Sequence, residues 1–196
     1  MRFERCRLGH VLSPKASTDS YLTFRSNNME GYDLNLQHPD GMLAKDVVIE
    51  NNYLRNLTIT NSRSVNVYRN RVSNLNSYAQ DFVINKSTNV HISNNRIRRL
   101  IMKNDTDILV LKNDFYYQGM EYSRESPLIY SEYTHKLEII SNQIFKYHYY
   151  HGYSRGVELL DCSSLLISDN DIKLKQRDGK MVIILGFMQG VPIKKI

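Results

Sequence analysis

One short phrase recurs along this 196-residue chain, and it leaves few folds open. Its clearest copy is Val90 to Ile97, VHISNNRI, and its rule is apolar, any, apolar, any, any, Asn, any, apolar. Further copies start at Leu22, Val47, Val65, Ile108, Leu137 and Leu165, and the chain opens with one in which Cys6 replaces the Asn. The marker position falls at Cys6, Asn27, Asn52, Asn70, Asn95, Asn113, Asn142 and Asn170, so the steps run from 18 to 29 residues. A repeat of that length is the signature of a solenoid. Within the phrase the apolar positions alternate, as in a strand with one buried face, and Val, Ile and Leu dominate.

The Asn has a physical role in such a coil. A sharp inward corner needs a residue in the left-handed region, and Asn tolerates that conformation well. Stacked coils also bring the Asn amides about 4.8 Å apart, close enough to hydrogen-bond up the stack. A second inward-facing strand follows each copy, with pairs at Leu34/Leu36, Leu57/Ile59, Phe82/Ile84, Leu100/Met102, Leu128/Tyr130, Val157/Leu159 and Val182/Ile184. The arc from that strand to the next marker is nearly constant, whereas the arc just after the Asn varies in length. The sequence therefore predicts an all-β single-stranded parallel β-helix of about eight coils over residues 1–186, with an asparagine ladder and insertions at one corner. Parallel crossovers favour a right-handed coil. Residues 187–196 leave the repeat as a C-terminal tail or cap.

The repeat resembles that of the right-handed parallel β-helix (pectate-lyase-like) superfamily, over nearly the whole chain. The strand-ending asparagines from Asn27 to Asn170 match that family's ladder. The likeness is greatest to phage tailspikes, pre-neck appendages and prophage-derived β-helix repeat proteins. It implies a polysaccharide-recognising protein, and the opening within a coil suggests a fragment or a reduced relative. The N-terminus lacks an apolar signal region, and no stretch approaches the roughly 18 apolar residues of a membrane span. A protein made in the cytoplasm, such as a virion component, is the expectation.

Four corner insertions are expected, Ser73–Asp81, Tyr116–Pro127, Phe145–Gly156 and Lys173–Met181. Of the 14 tyrosines, eight fall in the first three: Tyr78, Tyr116, Tyr117, Tyr122, Tyr147, Tyr149, Tyr150 and Tyr153. His148 and His151 accompany them. Loops on a rigid scaffold commonly bind ligands, and a tyrosine shelf suits sugars, whose rings carry an apolar face and polar rims. Packing against the solenoid wall, or an oligomer interface such as that of a trimer, would use the same residues. Position 5 of the phrase reads Arg69, Asn94, Lys112 and position 7 reads Arg71, Arg96 in stacked coils. Like charges on neighbouring strands repel, so this stripe points to an anionic polymer or to long side chains splayed in solvent. The net charge of +6 is spread along the chain and no nucleic-acid-binding phrase occurs, which disfavours nucleic acid as a partner.

The resemblance also implies that acids on the wall could cleave a polymer as a hydrolase or lyase. Glu132, Glu158 and Asp161 are the candidates, and a hydrolase would need two carboxylates about 5–9.5 Å apart. No carboxylate cluster suits Ca²⁺, and Cys6 and Cys162 lack histidines at zinc-ligand spacing, so no metal or cofactor is expected. Cys162 shares a turn column with Ser62, Ser87, Asp105 and Thr134. It should lie about seven rungs from Cys6, too far for a disulfide.

Overall fold

The computed structural model describes residues 2–9, 11–12, 21–37, 44–72, 82–119, 126–148, 154–176 and 181–185. It is a parallel β-solenoid. The first wall of each coil is the strand of the repeated phrase. Eight such strands stack in sequence order: Arg2–Glu4, Leu22–Arg25, Ala44–Glu50, Ser62–Tyr68, Thr88–Ser93, Thr106–Leu111, His135–Ile140 and Ser163–Ser168. All are parallel and in register, so that Val47, Val65, Val90, Ile108, Leu137 and Leu165 form one inward column. The remaining strands form a 13-stranded sheet in which Asn28–Gln37 and Tyr53–Thr60 run continuously through a second and a third wall. In later coils those walls separate. The second holds Arg71–Val72, Arg96–Ile97, Asp114–Gly119, Gln143–His148 and Asp171–Gln176. The third holds Phe82–Asn85, Leu100–Lys103, Ile129–Glu132, Ser154–Leu160 and Met181–Leu185.

The core is what the alternation dictates. Phe24, Ile49, Leu57, Val67, Phe82, Ile92, Val110, Phe115 and Ile139 are all fully buried. Burial of this kind, at roughly 25 cal/mol per Å² of apolar surface, is the main force holding the coils together.

The marker asparagines do a different job from the one expected. The left-handed residue at the corner is the one before each marker: Arg5, Ser26, Asn51, Arg69, Asn94, Lys112, Ser141 and Asp169 all have φ between 53° and 57°. That turn swings the marker side chain inward. Asn27, Asn52, Asn70, Asn95, Asn113 and Asn142 are at most 2% exposed. Each donates its backbone N–H to the side-chain Oδ1 of the next marker at 2.8–2.9 Å. Each Nδ2 donates to the same oxygen, and a second time to a backbone carbonyl of the preceding coil. Asn is required for these bonds and not for its φ, which explains why the left-handed position itself accepts Arg, Ser, Lys and Asp. At the start of the column, Cys6 donates only its N–H to Asn27 Oδ1 and turns its thiol to Glu4 O.

The opposite corner, from the third wall back to the first, uses the same device with smaller residues. Asn61, Lys86, Asn104, Tyr133 and Asp161 are left-handed there. Ser62, Ser87, Asp105, Thr134 and Cys162 follow them and are all buried. The shared column for Cys162 is thus observed, and both cysteines are free thiols at different corners. Ser62, Ser87 and Cys162 each donate to the carbonyl two residues earlier, at 3.1–3.3 Å. Asp105 has no proton for that bond when ionised. Its Oδ1 accepts from the Ser87 amide, while its Oδ2 is buried without a partner.

Two expected registers need correction. In the fifth pair Ile129 and Ser131 face inward, paired with Leu100 and Met102, whereas Tyr130 points out. An apolar-only rule passed over Ser131, whose hydroxyl is satisfied inside by Thr134 Oγ1 and Cys162 Sγ. In the last pair an irregularity after Arg155 sets Leu185 beside Leu159 and Ile184 beside Glu158 in the backbone register, where Val182/Ile184 had been expected to continue Val157/Leu159. The remaining five pairs are buried as expected. The 187–196 tail lies outside the described residues.

Asn95→Ala removes an amide bonded to Val67 O, Ser93 O and Asn113 Oδ1 and strands the Asn70 N–H. It should lower unfolding free energy by about 2–4 kcal/mol in urea titrations. Burial pushes the Asp105 carboxyl from 3.8 up to about 7, against the opposing effect of the Ser87 and Lys103 amides. Between those values the folded chain keeps a proton that the unfolded chain has released, so this group lowers stability as pH rises from about 4 to about 7. Asp105→Asn should therefore stabilise the fold at pH 8, by up to about 4 kcal/mol, with the gain shrinking towards pH 4 when urea midpoints are compared.

Candidate functional site

The expected insertions do not leave the wall at once. Tyr116, Tyr117, Phe145, Tyr147 and Lys173 lie on strands Asp114–Gly119, Gln143–His148 and Asp171–Gln176. These prolong the second wall beyond the two-residue strands of earlier coils. The prolongation is cooperative, because three successive coils supply paired partners for one another. Strand alternation then divides the aromatic residues between two faces.

The outer face carries Tyr116, Phe145 and Tyr147. The Tyr116 and Phe145 rings stack at 5.2 Å with their planes 10° apart. Tyr116 is 36% exposed, so the pair offers a flat platform to solvent. Tyr147 is half-buried two residues further on, in register with Gln118 and Lys175. Below this platform run Tyr53, Arg71, Arg96 and Asp114, which share one column of paired positions. The like-charged neighbours Arg71 and Arg96 diverge. Arg71 lies over the Tyr53 ring of the preceding coil at 5.1 Å, and Arg96 lies over Tyr116 of the following coil at 5.3 Å. Arg96 also approaches Asp114 at 3.6 Å. Exposed contacts of this kind contribute about 0.5–1 kcal/mol each. Arg69 and Lys112 flank the column as exposed left-handed corner residues. A ring, two cations and two stacked rings therefore follow one another along the solenoid axis at strand spacing. Tyr53 and Phe145 were missed in the sequence, although Tyr53 occupies the same phrase position as Arg71 and Arg96.

The inner face carries Tyr117 and Lys146. Tyr117 is only 8% exposed and its ring lies 4.8 Å from the Arg98 guanidinium. Tyr122, Tyr149, Tyr150, Tyr153 and His151 lie outside the described residues.

The three candidate acids lie on the third wall or at its end. Asp161 is an exposed left-handed corner residue at φ 48°, a conformation that itself favours Asp. Glu132 and Glu158 sit on the outer face of the third wall in successive coils. Glu158 pairs with Tyr130, two residues before Glu132, which makes the two acids diagonal neighbours on the order of 7–8 Å apart. Both carboxylates are engaged. Glu132 accepts from Tyr130 Oη at 3.0 Å and pairs with Lys103 at 3.1 Å. Lys103 and Tyr130 hold it below the usual carboxylate range, while burial and Glu132 push Tyr130 up to about 12. Glu132 is thus kept ionised and is unsuited to donate a proton to a leaving group. Glu158 accepts from Arg155 at 3.1 and 3.2 Å. Among the described residues no three His, Cys, Asp or Glu side chains gather as a metal site, and no helix is long and apolar enough to cross a membrane.

The two faces should respond differently to truncation. Tyr117→Ala opens a buried space and should cost about 3–5 kcal/mol of stability. Arg96→Ala should change stability by about 1 kcal/mol or less. Thermal and urea unfolding of the two variants would show this.

No protein-family model and no curated protein matches the chain. Among solved structures it is similar to HetL, a pentapeptide repeat protein involved in heterocyst differentiation regulation from the cyanobacterium Nostoc sp. strain PCC 7120. Identity is 10% over 93% of this chain and 90% of that one, with a TM-score of 0.27. The sheet topology itself establishes that the chain is a parallel β-solenoid.

Proposed function

We propose that the outer face of the second wall binds a carbohydrate polymer, with a preference for anionic chains. The observation that supports this is the axial column of Tyr53, Arg71, Arg96 and the stacked Tyr116–Phe145 pair. Sugar rings stack on exposed aromatic faces, and guanidinium groups beside them bond hydroxyls and carboxylates. A polymer lying along the axis meets a new side chain at each strand step of about 4.8 Å. Arg69 and Lys112 extend the positive rim, and Tyr122, Tyr147, Tyr149, Tyr150, Tyr153 and His151 belong to the same proposal.

In this reading the chain is a relative of the tailspike and pectate-lyase-like β-helix proteins, and a virion component that recognises a cell-wall or capsular polymer. Binding is favoured over cleavage because both carboxylates already have partners, Glu132 in Lys103 and Tyr130 and Glu158 in Arg155. An assembly of chains through the tyrosine face is the competing use of the same residues.

A glycan array, followed by calorimetry on the polymers it selects, tests the proposal. Tyr116→Ala and Arg96→Ala should each weaken binding by about tenfold, the equivalent of 1.4 kcal/mol, without loss of fold. Retained binding in both variants, or no binding to any polymer, defeats it. Concentration-dependent sedimentation abolished by Tyr116→Ala would favour the assembly instead.

A further inference from the structure

The corner between the third wall and the first encloses an acid with one oxygen unmatched. Asp105 is 1% exposed. Its Oδ1 accepts from the Ser87 amide at 2.8 Å, whereas its Oδ2 is buried with no hydrogen-bond partner. An orphaned buried oxygen is costly, because its lost hydration is not compensated.

Other coils show what the equivalent side chain does. Ser87 Oγ donates to Asn85 O at 3.1 Å, and the same carbonyl accepts the Asn61 amide at 3.1 Å. Cys162 Sγ donates to Leu160 O at 3.3 Å, and that carbonyl accepts the Tyr133 amide at 3.1 Å. The carbonyl two residues before the column residue thus takes two hydrogens. One comes from the left-handed residue of the preceding coil and one from the column side chain. In the coil of Asp105 that carbonyl is Lys103 O, which accepts the Lys86 amide at 3.0 Å. A carboxylate has no hydrogen for the second place, but a neutral carboxyl has one.

The ionisable side chains around this corner are engaged elsewhere or exposed. Lys103 and Glu132 pair with each other at 3.1 Å on the outer face, and Asp107 pairs with Lys136 at 2.7 Å. Lys86 and Tyr133 are exposed corner residues, and Cys162 turns its thiol to Leu160 O. Burial is what raises the Asp105 pKa from 3.8 to about 7, against the Ser87 and Lys103 amides.

We infer that Asp105 is a proton-operated latch: neutral, its Oδ2–H binds Lys103 O and closes the corner between Leu100–Lys103 and Thr106–Leu111, and ionised, it repels that carbonyl and the corner opens locally. The latch does not rest on the polymer-binding proposal. In the open corner the carboxyl returns to water and to its ordinary pKa of 3.8. The latch is therefore fully closed below about pH 4, weakens as pH rises to about 7 and changes no further above that. Each pH unit in that window raises the open fraction by up to about tenfold. Local opening exposes a few amides while the rest of the fold stays closed.

Amide hydrogen exchange of the full chain, followed by NMR from about pH 4 to about pH 8 and corrected for intrinsic rates, tests this. The reporters are the N–H groups of Lys86, Ser87, Thr106 and His135, which bond to Lys103 O, Asp105 Oδ1, Ser87 O and Asp105 O. Their protection should fall at least about tenfold between about pH 4 and about pH 7 and then level off. The Asn70 and Asn95 amides, at the opposite corner, should keep theirs. Asp105→Asn retains a donor and an acceptor that do not titrate, so its corner amides should stay protected throughout. The carbon resonance of the Asp105 carboxyl in the parent chain should titrate well above its ordinary range, and it serves if the Asn variant does not fold. The latch is overturned if the corner amides lose no more protection than Asn70 and Asn95, or if Asp105→Asn loses it as the parent does. A carboxyl that titrates at its ordinary value overturns it too.

Discussion

The fold depends on a left-handed residue followed by a buried amide. A left-handed conformation costs a non-glycine residue on the order of 1 kcal/mol, and this chain adopts it at 19 described non-glycine positions. At 13 of these positions, the corner residues named above, the conformation is what turns a strand into a closed coil. At the first corner the cost is offset at once. A marker such as Asn70 satisfies its own coil, the coil after it and the coil before it, and few other side chains could do all three from one site. The smaller corner reaches a similar result with hydroxyl and thiol donors, and Asp105 shows what happens when the donor is missing.

Most of this architecture was legible in the sequence because the phrase combines two independent periods. Alternation reported which face is inward, and the marker reported where the coil turns. The role of the marker was misassigned because the residue that turns and the residue that bonds are adjacent, and only the second keeps one type, Asn, in every copy after the first. Ser131 shows the other limit. A hydroxyl with internal partners is as good an inward residue as leucine, and hydropathy does not distinguish it from a surface serine. That one position moved a whole strand by one residue and sent Tyr130 to the outside, where it now holds Glu132.

The candidate site was less legible for a geometric reason. Sequence located the tyrosines at a corner, but side-chain direction is set by whether that corner is loop or strand. Because the strands continue, Tyr116 and Tyr117 face opposite sides, one on a solvent platform and the other beneath Arg98. Lys146 is invisible to a pattern search for the same reason. It lies in the inward register of Ile144, where an apolar residue would be expected. Charge at an apolar position becomes informative only once the register is known.

The asparagine column also has a polarity. Every Oδ1 from Asn27 to Asn170 points back towards the coil before it, where it receives the preceding marker's N–H groups. The side-chain carbonyls are therefore aligned head to tail over the length of the stack, as peptide units are in an α-helix. Alignment of this kind lets each bond polarise the next. It also gives the side-chain column a direction that the net charge does not express, its carbonyl oxygens facing Cys6 while the marker backbone carbonyls beside them face the following coil.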